Sequence, residues 1–505
     1  MTQATLADRR VHPGAILLRF IQGAPSVVFG LPAALAIFSK RGLGLALLAA
    51  AVIGGVMIFM QWLRWRSFRY GVGEREIVIE SGILSRNRRS IPFHRVQDVD
   101  IERALLARLF GLAKVKIETG AGGKDEGVLD SVTVEEADRL RAAVRAWHVQ
   151  APLAAPPDVS GAAEAHTPVA VQPEPHLLFA MDVKRVLVFG LFSFSLVYLA
   201  SLFALLQTFD RALPFNIYDP ARWVGLVEHN LPQRFTVAAA GFVLFLAMLL
   251  GVAAGVLRTL ARDFNYRLLS EGSRFRRERG LFTRTEAVIA KRRVQLAFLS
   301  TGPIRKRFGW GGLFFQTLGA ASDASGMQAA APFATRAEME PILAEAGPFR
   351  LPQLSELTMV SSRHIVRAVA TSVGPALAAV LAASTLFTPA LLLLLFMPFL
   401  GISAALQRRH HRYDLHADLL FITRGVWRQQ LWAVPVANAQ AVSVSRSWLQ
   451  RRLGLATVSV DTAGAPATKG ARIVDIRRET AEALAAEIAA GRRAYSSGRK
   501  SGTDR

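Results

Sequence analysis

Residues 91–100 read IPFHRVQDVD, and this stretch decides the fold because its pattern returns twice along the chain. It predicts part of a β-strand with a basic spot at His94 and Arg95, followed by Val96 and Gln97. Residues 289–298 read IAKRRVQLAF and residues 434–443 read VPVANAQAVS. Nothing in the stretch is typical of a catalytic site, so its recurrence indicates a repeated structural unit.

The three copies keep one gap-free register well beyond these windows. A glycine is followed 15 residues later by a glutamine, 14 residues later by a second glycine, and 8 residues later by a threonine. Equal spacing at three distances in three places indicates a tandem triplication of one module. The marks are Gly82, Gln97, Gly111 and Thr119 in copy one, Gly280, Gln295, Gly309 and Thr317 in copy two, and Gly425, Gln440, Gly454 and Thr462 in copy three.

Each copy predicts several short strands followed by one helix. An alternating strand ends at the first glycine, which tolerates positive φ in a hairpin turn. Later strands and a loop rich in Gly, Ala and Ser precede the helix, which runs over 479–490 in copy three. Thr133 with Glu136 and Thr335 with Glu338 predict capping boxes in the first two copies. The pattern favours a small β-barrel or sandwich closed by a C-terminal helix.

Six apolar runs predict transmembrane helices, one pair before each copy. Each has about 18–24 residues, enough for a helix to cross about 30 Å of hydrocarbon. A signal peptide over the first run is disfavoured because a second apolar run follows at once. Arg and Lys near the helix ends place the N-terminus and all three copies in the cytoplasm by the positive-inside rule. The runs are roughly 18–38, 43–63, 185–208, 235–257, 365–387 and 389–406.

The composition fits membrane segments that alternate with basic polar segments. The 505 residues are 51% hydrophobic and carry 61 Lys and Arg against 38 Asp and Glu, a net charge of +23. This charge favours an anionic partner: phospholipid head groups, nucleic acid or an acidic protein. Nucleic acid is disfavoured because the basic stretches lie beside the spans and no nucleic-acid motif is present. The chain has no cysteine, which excludes disulfides, thiol catalysis and Cys-ligated metals.

The pattern Y…GIL.R…IP..RVQ.V…L.R.FGL..V.I.TG…EEA..L is similar to the bacterial pleckstrin-homology-like (bPH2) domain, and three copies behind transmembrane hairpins resemble the YdbT-type membrane proteins. The resemblance implies an α+β membrane protein: six transmembrane helices in three hairpins, each followed by a PH-like β-barrel or sandwich with a C-terminal helix. It leaves the activity open. Its parts are an N-terminal tail (1–17), hairpin 1 (18–64), PH-like domain 1 (65–148), a Pro/Ala-rich linker (149–177), hairpin 2 (178–262), PH-like domain 2 (263–347), hairpin 3 (348–407), PH-like domain 3 (408–495) and a basic tail (496–505).

Basic clusters in the three copies are the candidate contacts for anionic lipid or for a protein partner. A basic residue close to an anionic bilayer contributes about 1 kcal/mol to its attraction. These charges could instead serve only to keep the domains on the inner side, and the residues alone leave both readings open. The repeated Gln and second Gly positions are interpreted as structural. The candidates are Arg86, Arg88, Arg89, Arg95, Arg274, Arg276, Arg277, Lys291, Arg292, Arg293, Arg305, Lys306, Arg307, Arg428, Arg451 and Arg452.

These features predict a non-enzymatic scaffold of the bacterial inner membrane that binds lipid head groups or a protein. No catalytic, cofactor or metal site is expected: phosphate-loop, HExxH and Ser/His/Asp patterns are missing, and His410, His411 and His416 are interpreted as surface residues near the membrane. Membrane lipids are the expected partners, nucleic acid is not, and an oligomer is left open. The resemblance adds a smaller single-copy PH-like membrane protein and a role in envelope stress or antimicrobial resistance. The alternative is a lipid or small-molecule transporter built on the six-helix bundle.

Overall fold

The computed structural model describes most of the chain. It divides the chain into two compact units, one formed by residues 1–171, 180–267 and 277–288 and the other by residues 172–179, 268–276 and 289–505. Copy one lies in the first unit, copy three lies in the second, and the sequence of copy two is shared between them. The described residues are 8–18, 43–83, 85–119, 127–150, 175–193, 233–317, 327–353, 355–385, 387–463 and 470–501.

Helices occupy the described parts of the predicted spans. Three of them are long and apolar enough to cross a membrane: Phe245–Asp263, Arg363–Ser384 and Ala390–His410. The described residues therefore support three of the six predicted spans by length and composition. Most of the first and third predicted spans lies outside the described residues. The helices of these regions are α1 (Leu43–Ser67), α4 (Val183–Leu191), α5 (Gln233–Asp263), α8 (Arg363–Ser384) and α9 (Met397–His410), and a 3₁₀ segment, Thr388–Phe396, precedes α9.

Copy one consists of two antiparallel sheets and a C-terminal helix. The first sheet has the order β1-β2-β3, and in the second β5 lies between β4 and β6. The elements are β1 (Arg69–Val72), β2 (Glu76–Ser81), β3 (Asn87–Pro92), β4 (Val96–Arg103), the short helix α2 (Leu105–Leu109), β5 (Leu112–Thr119), β6 (Gly127–Thr133) and the helix α3 (Val134–Gln150).

One hydrophobic core joins these two sheets and the helix. Ile77 and Ile91 from the first sheet and Val115 and Leu129 from the second are buried together. Leu140 and its neighbours one turn away on α3 cover the same core. Burial of one aliphatic side chain contributes roughly 1.5–3 kcal/mol. The helix is therefore held by the apolar face that the sequence placed next to the strands.

Copy three repeats this architecture in the second unit. Its first four strands join a seven-stranded sheet, and its last three form the separate sheet β18-β19-β20. Ile422, Trp432, Val458 and Ile473 share one core with residues of α11, which include Leu484. The elements are β14 (Thr358–Met359), β15 (Arg412–His416), β16 (Leu419–Arg424), β17 (Gln429–Pro435), β18 (Ala439–Ser445), α10 (Trp448–Leu453), β19 (Leu455–Thr462), β20 (Ala471–Arg477) and α11 (Arg478–Ser501).

Copy two has the same order of elements along the chain. Its last strands lie in the second unit, where the sheet runs β13-β12-β11-β17-β16-β15-β14. The predicted capping box is present: Glu338 Oε2 accepts from the Thr335 backbone N–H at 2.8 Å. The elements are β7 (His176–Ala180), β8 (Arg267–Glu271), β9 (Arg274–Arg279), β10 (Arg284–Ala290), β11 (Val294–Thr301), α6 (Pro303–Arg307), β12 (Trp310–Thr317), β13 (Gln328–Thr335) and α7 (Arg336–Ala346).

The first glycine of each copy makes the turn that the sequence predicts. Gly82, Gly280 and Gly425 have φ of +117°, +112° and +98°. A Cβ atom on Gly425 would lie 2.1 Å from the Arg428 carbonyl oxygen, which no side chain tolerates without backbone movement. Only glycine adopts such φ values freely, so the repeated glycine is required by the hairpin itself.

In copies one and three, the residues just before the first helix of the hairpin pair with the domain that follows the hairpin. Arg9 forms an antiparallel bridge to Tyr70 in β1, and β14 pairs with β15 through Thr358 and Tyr413. The Ser131 carbonyl accepts from the His12 N–H, and the equivalent Asp475 carbonyl accepts from the Ser361 N–H. Each of these two hairpins is therefore an insertion between an edge strand and the rest of its domain.

Candidate functional site

The structure divides the predicted basic residues by exposure. Arg277 is fully buried at 0% exposure, so it has no access to a lipid or to a partner. Arg274, Arg276, Lys291, Arg293 and Arg305 are half-buried. The exposed members are Arg86, Arg88, Arg89, Arg95, Arg292, Lys306, Arg307, Arg428, Arg451 and Arg452.

Lys291 belongs to an internal ion pair. Its Nζ lies 2.6 Å from Glu345 Oε2 and also donates to Ser270 Oγ. Burial alone would raise the pKa of Glu345, but hydrogen bonds from Lys291, Ser270 and His176 outweigh it and lower that pKa to about 2. Lys291 therefore stabilises the second domain through α7, and it is a weak candidate for binding lipid.

In copies two and three, the chain around the repeated first glycine lies at the end of the domain where the preceding membrane helix ends, and we call this the span-side end. In copy two, the Gly280 and Leu281 N–H groups donate to the Phe264 and Ala261 carbonyls at the end of α5. In copy three, Thr423 Oγ1 donates to the His410 carbonyl at the end of α9. These contacts place the loops beside the helices that approach the membrane.

At this end, the short helix of one copy contacts the loop that follows the first glycine of the next copy. In the first unit Arg108 of α2 donates to the Leu281 carbonyl at 3.3 Å. In the second unit Lys306 of α6 donates to Gln429 Oε1 at 2.9 Å, and Arg428 donates to Ser300 Oγ at 3.1 Å. The two units therefore contain the same type of contact between successive copies.

Large apolar side chains are exposed on these loops and short helices. Leu109 and Trp427 are each 79% exposed. Exposed apolar groups that cluster at one end of a domain mark a surface that meets a membrane or a protein. The set is Ile83, Leu105, Leu109, Phe110, Phe282, Ile304, Phe308, Trp427 and Trp448.

A cavity of about 480 Å³ lies between copies two and three, inside the second unit. Its apolar lining includes Leu299, Met339, Leu351 and Leu431. Its charged lining residues are all basic: Lys306, Arg336, Arg409, Arg412 and Arg424. A concave, mostly apolar site with convergent basic groups suits an amphiphile that has an anionic head.

The protein holds several of these basic groups in place. Arg336 donates to the Leu351 and Pro352 carbonyls at 2.8 and 3.2 Å. The Arg424 guanidinium lies over the Trp432 ring, 5.3 Å from its centroid. Burial lowers the pKa of Arg424, and the nearby charge of Arg472 lowers it further. Crowded, partly desolvated cations of this kind gain energy when an anion binds.

A second polar cluster ties α8 to the third domain. The Asp475 carboxylate is fully buried and accepts from His364 Nδ1 at 2.6 Å, Arg367 Nε at 2.5 Å and Gln450 Nε2 at 2.7 Å. Burial would raise the pKa of Asp475, but hydrogen bonds from those three side chains hold it below its ordinary value. His364 and Arg367 begin an apolar helix, so this ion pair fixes the helix to the domain.

Sequence reasoning found part of this arrangement. It selected Lys306, which lines the cavity, and Arg428, which donates to the lining residue Ser300. It missed Arg336, Arg409, Arg412 and Arg424, because their convergence depends on strand pairing between copies. Among the repeated glutamines, the Gln295 side chain donates to the Arg293 carbonyl at 3.3 Å, as the structural interpretation expects, whereas Gln440 is exposed.

Comparisons with known proteins give matches along most of the chain. The family model described as bacterial PH domain matches residues 26–146, 196–345 and 366–492. The UPF0699 transmembrane protein YdbT of Bacillus subtilis (strain 168) is 24% identical over 312 residues, 60% of this chain and 61% of that protein. The UPF0699 transmembrane protein YdbS of the same organism is 42% identical over 79 residues, 16% of this chain and 48% of that protein. The matches thus span less than two thirds of either relative, and no solved structure matches.

Proposed function

Because the chain belongs to the bacterial PH domain family, with three copies of that domain beside membrane helices, we propose that it is a non-enzymatic membrane scaffold that binds anionic phospholipid. The domains lie on the cytoplasmic side of the bacterial inner membrane, as the positive-inside rule indicates. The cavity between copies two and three takes the anionic head group.

The basic cavity is the observation that carries this proposal. Five cationic side chains and no carboxylate line its charged part within the described residues. The cavity lies beside His410 and Arg409, the last residues of a helix that is apolar enough to span a membrane. Anionic lipid head groups lie at the leaflet surface, where this helix ends. Each basic residue near such a head group contributes about 1 kcal/mol to the binding free energy.

The exposed apolar side chains of the span-side end support the same orientation. Trp427 and Phe308 lie next to Arg428 and Arg307 in sequence. Aromatic rings beside basic groups are enriched at the membrane interface, where the rings enter the head-group region and the cations remain hydrated. The scaffold is therefore held against the leaflet by its loops as well as by its spans.

The test measures binding of fluorescent phosphatidylglycerol to the full-length protein in detergent micelles. The paired change Lys306→Gln and Arg409→Gln removes two charges from the cavity. At about 1 kcal/mol each, we expect a loss of about 2 kcal/mol, roughly 30-fold in affinity. Phosphatidylcholine binding should change little, because its head group carries no net charge.

Arg493→Gln is the matched control, because Arg493 is exposed on the C-terminal helix and lies outside the cavity. It should leave phosphatidylglycerol affinity within about twofold. Equal affinities of the wild type and the paired cavity variant for phosphatidylglycerol would refute the proposal. A role in envelope stress or antimicrobial resistance stays a prediction from the resemblance, to be checked by comparing a deletion strain with its parent under those challenges.

A further inference from the structure

Successive copies join through the same pair of strands in the same register. In the first unit β4 pairs with β10, and Glu102 lies opposite Thr285. In the second unit β11 pairs with β17, and Ser300 lies opposite Gln430. In both pairs, the residue from the earlier copy stands five positions after that copy's repeated glutamine. The residue from the later copy stands five positions after that copy's first glycine. The chain thus contains one head-to-tail interface twice.

Backbone hydrogen bonds define this interface, and the side chains that face each other differ between the two junctions. The opposed residues are mostly polar at the first junction and apolar at the second, where Phe298 lies opposite Trp432. At the first junction the Asp100 carboxylate accepts from the Val288 N–H at 3.3 Å. The register is nevertheless equal, so a third junction needs only a suitable pair of edge strands.

Two strands that correspond to the strands of these junctions are edge strands of their sheets. β3 is the last strand of β1-β2-β3, and β18 is the last strand of β18-β19-β20. β18 reads AQAVSVS and has no charged residue or proline. Natural edge strands usually carry charges, bulges or prolines that oppose association. β18 has one bulge, between Ala439 and Ala441, but β4 and β11 have the equivalent bulge and still pair across the two junctions. Its Val444 is 37% exposed.

We propose that β18 of one molecule pairs with β3 of a second copy of this chain. In the repeated register Ser445 lies opposite Asn87, Val444 opposite Arg88, and Val442 opposite Ser90. Ser443 takes the position of Asp100, and its hydroxyl can accept from the Ser90 N–H as Asp100 accepts from Val288. The contact continues an interface that the chain already uses twice.

A second copy is the occupant because one chain carries both complementary edges. The contact is heterologous, joining different surfaces of the two molecules. Repetition of the contact produces a closed ring or an open row in the membrane plane. The inference is independent of lipid binding at the cavity, so failure of either leaves the other standing.

The natural absence of cysteine makes disulfide cross-linking a direct test. Two full-length variants, Asn87→Cys and Ser445→Cys, carry different affinity tags and are expressed together in native membranes. Mild oxidation should join the two tags in one disulfide-linked dimer. Ser443→Cys with Asn87→Cys is two residues out of register and should give at least tenfold less of that dimer.

The positive control places Ser300→Cys and Gln430→Cys in one chain, across the second internal junction. If this control forms its disulfide while the Asn87 and Ser445 variants give no mixed dimer, the proposal is overturned. A chain with both Asn87→Cys and Ser445→Cys that closes only on itself also overturns it. Native mass spectrometry that finds one copy bound only to a smaller protein assigns the edge to another occupant and has the same consequence.

Discussion

Replacement of Asp475 tests whether the buried ion pair anchors α8 to the third domain. Asp475→Asn keeps the size of the side chain and tolerates the φ of +64° at this position, because Asn adopts left-handed backbone more readily than most residues. It removes the negative charge that faces Arg367 and His364.

The expected loss follows from burial and from the partners that remain. Breaking a buried pair by removing one partner costs about 3–5 kcal/mol. Arg367 keeps 23% side-chain exposure and gains some hydration, and Asn retains one carbonyl acceptor. The low end of the range, about 3 kcal/mol, is therefore expected for the unfolding free energy of the third domain.

Hydrogen–deuterium exchange of the full-length protein in detergent provides a domain-specific readout. A loss of about 3 kcal/mol should accelerate the slowest amides of β19 and β20 roughly 150-fold, since 1.4 kcal/mol corresponds to a factor of ten. Peptides from copy one should exchange at the wild-type rate. Asp461→Asn, an exposed carboxylate on β19, is the matched control and should change exchange less than threefold.

An acceleration below about fivefold at Asp475→Asn would refute the assignment of Asp475 as an anchor. Its carboxylate would then contribute no more than an ordinary surface group. A uniform acceleration across all three copies would also refute this assignment, because the loss of unfolding free energy would then affect the whole protein. If Asp475 anchors α8, the faster exchange should be confined to the third domain and to the start of α8.

Three further predictions concern other parts of the fold. Gly425→Ala should destabilise the third domain by about 1–3 kcal/mol in thermal unfolding, because the turn requires φ of +98°, and a wild-type melting temperature would contradict this. The interpretation of His411 as a surface residue is wrong: it is buried under the third domain's strands, and burial together with the nearby charge of His364 lowers its pKa to about 3. The pKa of a histidine in the unfolded chain is about 6.5, so this contribution to stability is complete above pH 6.5 and should fall by about 2 kcal/mol at pH 5. Urea titrations should show that His411→Gln abolishes this loss. Arg141 and Glu286 form a largely buried pair at the first junction, so removing either alone should cost about 3 kcal/mol, and a double-mutant cycle that finds less than 0.5 kcal/mol of coupling would contradict the pairing.

Local chemistry made much of the fold predictable from the amino-acid sequence. The repeated glycines require positive φ wherever they stand, so their spacing indicates three equal hairpins before any contact is known. Thr335 and Glu338 lie three residues apart, and their capping box is a local interaction. Alternating apolar residues likewise specify which face of each strand enters the core.

The pairing between copies was beyond prediction, because it joins residues far apart in sequence. β4 has no pattern that selects β10, and the opposed residues differ from those at the second junction. His364 and Asp475 are separated by 111 positions and meet only when the start of α8 docks on the third domain. The cavity needs the pairing between copies, because Arg336 and Arg424 come from different copies.

The sequence by itself determined the repeated unit, its strands and turns, and the apolar segments, since each depends on backbone preference or on periodic burial within a few residues. Only the tertiary structure decided which edges meet, which arginines become buried and which converge on one cavity. The physical reason is that backbone hydrogen bonds can pair any two open strands. The choice among strands depends on how whole domains fit, and that information is spread over the entire chain.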